Sequence, residues 1–167
     1  MTAQIGEILR YNGNTVRMCD TPLGDYFALG GRRPEPDFDT FGCTALWRGY
    51  VGTWEIVDGH LYLIGISGDL EDGSPGCLAT VFPDYPERVF AHWYSGEIRI
   101  PEGKLLNYVH MGFASKYERD DILAFRNGIL LSTETRKNGT APDGSGPTGY
   151  GIGAMTVFPR KPKRDAE

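Results

Sequence analysis

Apolar and polar residues alternate along Cys43–Ile66, CTALWRGYVGTWEIVDGHLYLIGI, in two runs that meet at Asp58-Gly59. An Asp-Gly pair between alternating runs predicts a two-residue hairpin, because a type I′ turn needs positive φ at both central positions. That turn fixes the register. Val57 then faces His60, Ile56 faces Leu61, Glu55 faces Tyr62 and Trp54 faces Leu63. Side chains alternate across a strand, so one face carries Tyr50, Trp54, Ile56, Leu61 and Leu63 and is read as core. The other face carries Val51, Thr53, Glu55, Tyr62, Ile64 and Ile66 and is read as half covered. Gly52 falls opposite Gly65, which predicts a bend, a bulge or a close backbone approach.

The same device recurs. IGEILRY and TVRMC flank Asn12-Gly13-Asn14, and ILAFR and ILLST flank Asn127-Gly128. Residues 88–112 add strand-like runs, RVFAHWYSGEIRI and LLNYVHMGF, with bends expected at Ser95-Gly96 and Pro101-Glu102-Gly103. Residues 20–42 and 67–87 are broken by Pro and Gly and read as irregular excursions, a length at which loops tend to carry function. The chain therefore predicts an all-β fold with little helix, an antiparallel sandwich or partly open barrel built from hairpins. Residues 1–137 form one β-rich domain in this reading. Residues 138–167 form a Gly/Pro-rich segment with a candidate last strand at AMTVFP and a basic tail, PRKPKRDAE.

Composition narrows the picture. The 23 Gly and 11 Pro leave few stretches long enough for a helix of average length. At 167 residues the chain buries enough surface to fold without a staple. The net charge of −5 disfavours a nucleic-acid-binding protein and is compatible with a basic partner. No apolar run reaches membrane-spanning length and no secretory signal is apparent, so a cytoplasmic location is expected, with no membrane partner. Cys19, Cys43 and Cys77 match no metal or disulfide spacing and are read as small buried hydrophobes.

Chemistry concentrates in three blocks. WRGY supplies Arg48 and Tyr50, AHWYSGE supplies Trp93 and Tyr94, and YVHMGFASKYER supplies Tyr108, His110, Tyr117 and Glu118. Arg48 on an otherwise apolar face needs a carboxylate, a ligand or a route to solvent. Two readings follow. Arg48 holds an anionic group in an aromatic pocket lined by Tyr50, Trp93, Tyr94, Tyr108, His110 and Tyr117. In the other, it pairs internally with Glu55, Glu97 or Glu118. The blocks LWRGYVGTWEI, FAHWYSGEIRIP and YVHMGFASKYER are similar to a group of small uncharacterised bacterial β-rich proteins that share W-R-G-Y, W-[FY]-S-G-E and Y-V-H-M-G blocks. The likeness covers roughly residues 43–136 and implies one structural unit, without an activity.

The leading expectation is a non-enzymatic binding protein that sequesters or neutralises a partner, either a protein, in the manner of an immunity protein or inhibitor, or a small anionic ligand. The alternative is a small enzyme acting on a phosphorylated or sugar-like compound, with Arg48 holding the anion and His110 and Glu118 as acid–base candidates. Neither a cofactor nor a metal is expected from these motifs.

Overall fold

A computed structural model describes residues 3–140. The elements in chain order are β1 (Glu7–Tyr11), β2 (Asn14–Met18), α1 (Pro22–Ala28), β3 (Val51–Val57), β4 (His60–Asp69), β5 (Pro75–Gly76), α2 (Leu78–Val81), β6 (Val89–Phe90), β7 (Gly96–Asn107), β8 (Lys116–Arg126) and β9 (Ile129–Lys137). The strands form one mixed, unclosed sheet in the order β2-β1-β3-β4-β9-β8-β7, with β5 and β6 pairing with β4 off that path. The sheet curls until its two ends approach. The Cys19 amide, just after β2, donates to the Arg99 carbonyl of β7 at 2.8 Å. The all-β expectation holds in this form.

All three predicted hairpins are present, and for the predicted reason. Asn12-Gly13, Asp58-Gly59 and Asn127-Gly128 each take positive φ at both residues, from 49° to 77°, the requirement of the type I′ turn. In the central hairpin Val57, Ile56, Glu55 and Trp54 face His60, Leu61, Tyr62 and Leu63, as the turn dictates. The register then shifts between Thr53 and Trp54, so Gly65 faces Thr53 and Gly52 faces Ile66. Gly52 leaves room for its neighbours: a Cβ there would lie 2.3 Å from Glu7 Oε2 and 2.7 Å from Trp54 Nε1.

The inner face of the curled sheet carries Leu9, Met18, Trp54, Leu61, Leu63, Ile98, Leu123 and Phe125, all buried. Burying such side chains supplies roughly 1.5–3 kcal/mol each.

Four expectations need correction. The sheet is not purely antiparallel: β1 and β3 run parallel, Leu9 beside Trp54. The return that a parallel neighbour needs lies within residues 12–50, where β2 runs back beside β1 before the chain leads into β3. The 20–42 excursion is not wholly irregular either, since Pro22 opens helix α1 at the first helical turn, where proline's missing N–H costs nothing. Pro101-Glu102-Gly103 is not a turn but lies inside β7, with a register shift between Glu102 and Leu105. β7 ends the sheet, and an edge strand tolerates proline. Cys77 is exposed rather than buried, and Cys19 and Cys43 are half-buried. The candidate strand AMTVFP and the basic tail lie outside the described residues. No helix among those residues is long and apolar enough to cross a membrane.

Candidate functional site

The first strand was expected to begin near Cys43, but residues 43–50 form successive turns and β3 starts only at Val51. Likewise β7 ends at Asn107, and residues 108–115 form a loop rather than a continued strand. Each loop contains a glycine that needs left-handed backbone, Gly49 with φ 78° and Gly112 with φ 53°.

A short N-terminal strap, residues 3–5, lies between these loops. Gln4 makes most of the connections. Its amide donates to the Gly112 carbonyl at 2.8 Å. Its Nε2 donates to the Thr44 carbonyl at 2.9 Å, and its Oε1 accepts from the Trp47 amide at 2.8 Å. The Ile5 amide adds a bond to the Ala45 carbonyl at 2.8 Å. Gln4 is itself buried, its side chain holding the 43–50 loop and its backbone amide the 108–115 loop.

The loops held this way expose large apolar side chains. Trp47 is 45% exposed, Met111 51%, and Phe41, on the turn just before the 43–50 loop, 95%. His110 is also exposed, and its ring meets the half-buried Tyr108 edge-on at 4.4 Å.

Beneath Trp47 the structure fixes Arg48. Its Nε donates to Glu7 Oε1 at 2.6 Å and its Nη2 to the Ile5 carbonyl at 2.9 Å. Only 13% of the Arg48 side chain is exposed, and 1% of the Glu7 side chain. The internal partner is therefore Glu7, not Glu55, Glu97 or Glu118. Glu7 also accepts from Trp54 Nε1 at 3.4 Å and from the Gly52 amide. Burial outweighs these donors and pushes the Glu7 carboxyl up to about 7. Arg17, whose Nη1 donates to the Gly6 carbonyl at 2.9 Å, lies close enough to feel both charges, and burial lowers its pKa. The guanidinium of Arg48 is thus engaged with the fold itself, which argues against the anion-holding role.

The remaining candidates divide between regions. Tyr50 is core, packed on Phe38 at 4.9 Å, with burial raising its phenol pKa. Trp93 and Tyr94 secure the α1 excursion. Trp93 Nε1 donates to the Pro22 carbonyl at 2.8 Å, and the Tyr94 hydroxyl donates to Asp20. Tyr117 is buried, and its carbonyl accepts from Asn138 Nδ2 at 2.9 Å. Glu118 packs against Gly103, where an added Cβ would lie 2.7 Å from its carboxylate. The structure thus brings the WRGY and YVHMG blocks together through the strap. It places Trp93 and Tyr94 with helix α1 instead.

Sequence reasoning did not single out Gln4, Glu7 or Phe41. Glu7 was accessible in principle, because strict alternation puts it on the same face of β1 as the buried Leu9. Gln4 had no such signal, since nothing local marks a residue whose side chain bonds a backbone about 40 residues away and whose own amide bonds one about 110 away.

No protein-family model, curated protein sequence or solved structure matches the chain.

Proposed function

We propose that this is a non-enzymatic binding protein that sequesters or neutralises a protein partner, and that the partner is engaged by the 43–50 and 108–115 loops. One observation carries the reading: Trp47 and Met111 stand exposed on two loops that a single buried residue, Gln4, locks together. Large apolar side chains exposed on a rigid frame are the composition of interface hot spots, in which Trp is enriched. Rigid presentation also reduces the ordering cost of association. Phe41, on the turn just before the first loop, is exposed as well, and the second loop also carries Tyr108 and His110.

The enzyme alternative needs a free Arg48 beside His110 and a carboxylate. Arg48's bonds to Glu7 and Ile5 leave that reading without an observation in its favour.

The test compares the native chain with a Trp47→Ala/Met111→Ala variant. Both positions are exposed, so folding should survive, and circular dichroism checks that it does. The proposal predicts that proteins captured from the producing cells by the native chain are lost with the variant. Undiminished capture by the folded variant, or no capture by either while a nucleotide, sugar or organic acid raises the melting temperature, would refute it.

A further inference from the structure

Strand β9 leaves the body of the sheet. It pairs with β8 along its whole length, from Arg126–Ile129 to Arg119–Lys137. On its other side its strand pairing with β4 is limited to His60–Ile129. Beyond that the Leu130 amide reaches the Gly59 carbonyl at 2.7 Å, and β9 then runs past the β3–β4 turn. From Leu131 to Lys137 every residue is exposed. No strand pairs with that edge among the described residues.

Such an edge is a template for another strand. Its sequence, LSTETRK, contains neither Pro nor Gly, so nothing in the backbone blocks pairing. The charges indicate which strand fits. Glu134 and Arg136 are two apart, on one face of β9, with Arg136 Nε 3.4 Å from Glu134 Oε1. A second copy pairing antiparallel about Thr135 places each Glu134 opposite Arg136 of the other copy, twice by symmetry. The four charges then alternate in sign. Pairing about residue 134 sets Glu134 against Glu134, and pairing about residue 136 sets Arg136 against Arg136. The strand is therefore self-complementary in the register centred on Thr135 and opposed in the two neighbouring ones.

We propose that β9 is a homodimerisation edge, pairing antiparallel with β9 of a second copy about Thr135. The dimer is isologous, as a two-fold interface must be. It uses neither Trp47 nor Met111, so it stands independently of the partner-binding surface.

Sedimentation of the full chain across a concentration series tests this. The native chain should shift from monomer to dimer, more weakly at high salt. Glu134→Arg and Arg136→Glu each turn two attractive pairs into two repulsive ones and should weaken dimerisation about tenfold or more. Mixing the two variants restores opposite charges in every pair, so the mixture should dimerise where neither does alone. Because both changes are on exposed side chains, a folding defect does not confuse the result. A native chain that is monomeric throughout, a dimer indifferent to both reversals, or a mixture no more associated than its components would overturn the proposal.

Discussion

At the scale of single residues, Glu7 is the most consequential group in the molecule. It is a carboxyl on an inner strand position, met by one guanidinium at 2.6 Å, an indole N–H and a backbone amide. Desolvation still raises it from 4.5 to about 7. A carboxyl raised on folding favours the protonated form in the native state. Its contribution to stability is therefore complete below about pH 4.5 and is lost as the pH rises through about 7. The size of that loss is about 3 kcal/mol. Urea unfolding between those pH values should show stability falling as pH rises, and Glu7→Gln should remove that decline. A native profile flat across the window would mean that the Arg48 charge cancels the burial. Arg48 itself shows what a residue pattern conveys and what it does not. Its placement among apolar residues correctly signalled the need for a partner. Which carboxylate answers it depends on the parallel pairing of β1 with β3, a long-range contact that no local window contains.

At the scale of elements, legibility follows the range of the interactions. The three hairpins were readable because a two-residue turn fixes its own register, and Trp54, Leu61 and Leu63 are buried where alternation put them. An irregularity near Gly52 and Gly65 was signalled by the two glycines, and the register shift falls beside them, between Thr53 and Trp54. Helix α1 was not readable, since seven residues opening on proline resemble a loop until Trp93 bonds its first carbonyl. The continuation of β7 through Pro101 was masked in the same way. Proline-glycine punctuation marks a turn in isolation, and only the strand's place at the sheet's end removes the penalty. The strap belongs to this scale as well. Replacing Gln4 with Ala deletes its bonds to Thr44 and Trp47 and leaves a part-buried carbonyl and amide to find water. The expected cost is about 2 kcal/mol. Hydrogen exchange should quicken at the Trp47 amide and across residues 43–50, with the β3–β4 ladder little changed. Equal acceleration throughout the sheet would make Gln4 a general stability residue rather than a lock on one loop.

At the scale of the whole molecule, a curled sheet does two separate things. One end of it, closed by the strap, holds two loops together and presents Phe41, Trp47 and Met111. Elsewhere β8 and β9 extend beyond the β3–β4 turn as an arm with an open edge. The WRGY and YVHMG blocks read as chemistry in the sequence, and they do meet. Arg48 turns inward to Glu7 and Tyr50 is core, while Trp47, His110 and Met111 face solvent. Sequence reasoning read residues 43–50 and 108–112 as strands with alternating faces, and the loops they form instead face their side chains differently.

The claim that the loop surface is where a partner binds is tested most directly by a photo-crosslinking amino acid placed at position 47 in the producing cells. A second chain carrying it at Leu29, exposed at the end of helix α1, serves as control. The account predicts a discrete covalent adduct with one protein from position 47 and none from position 29. No adduct at position 47, or the same adducts from both positions, would contradict it.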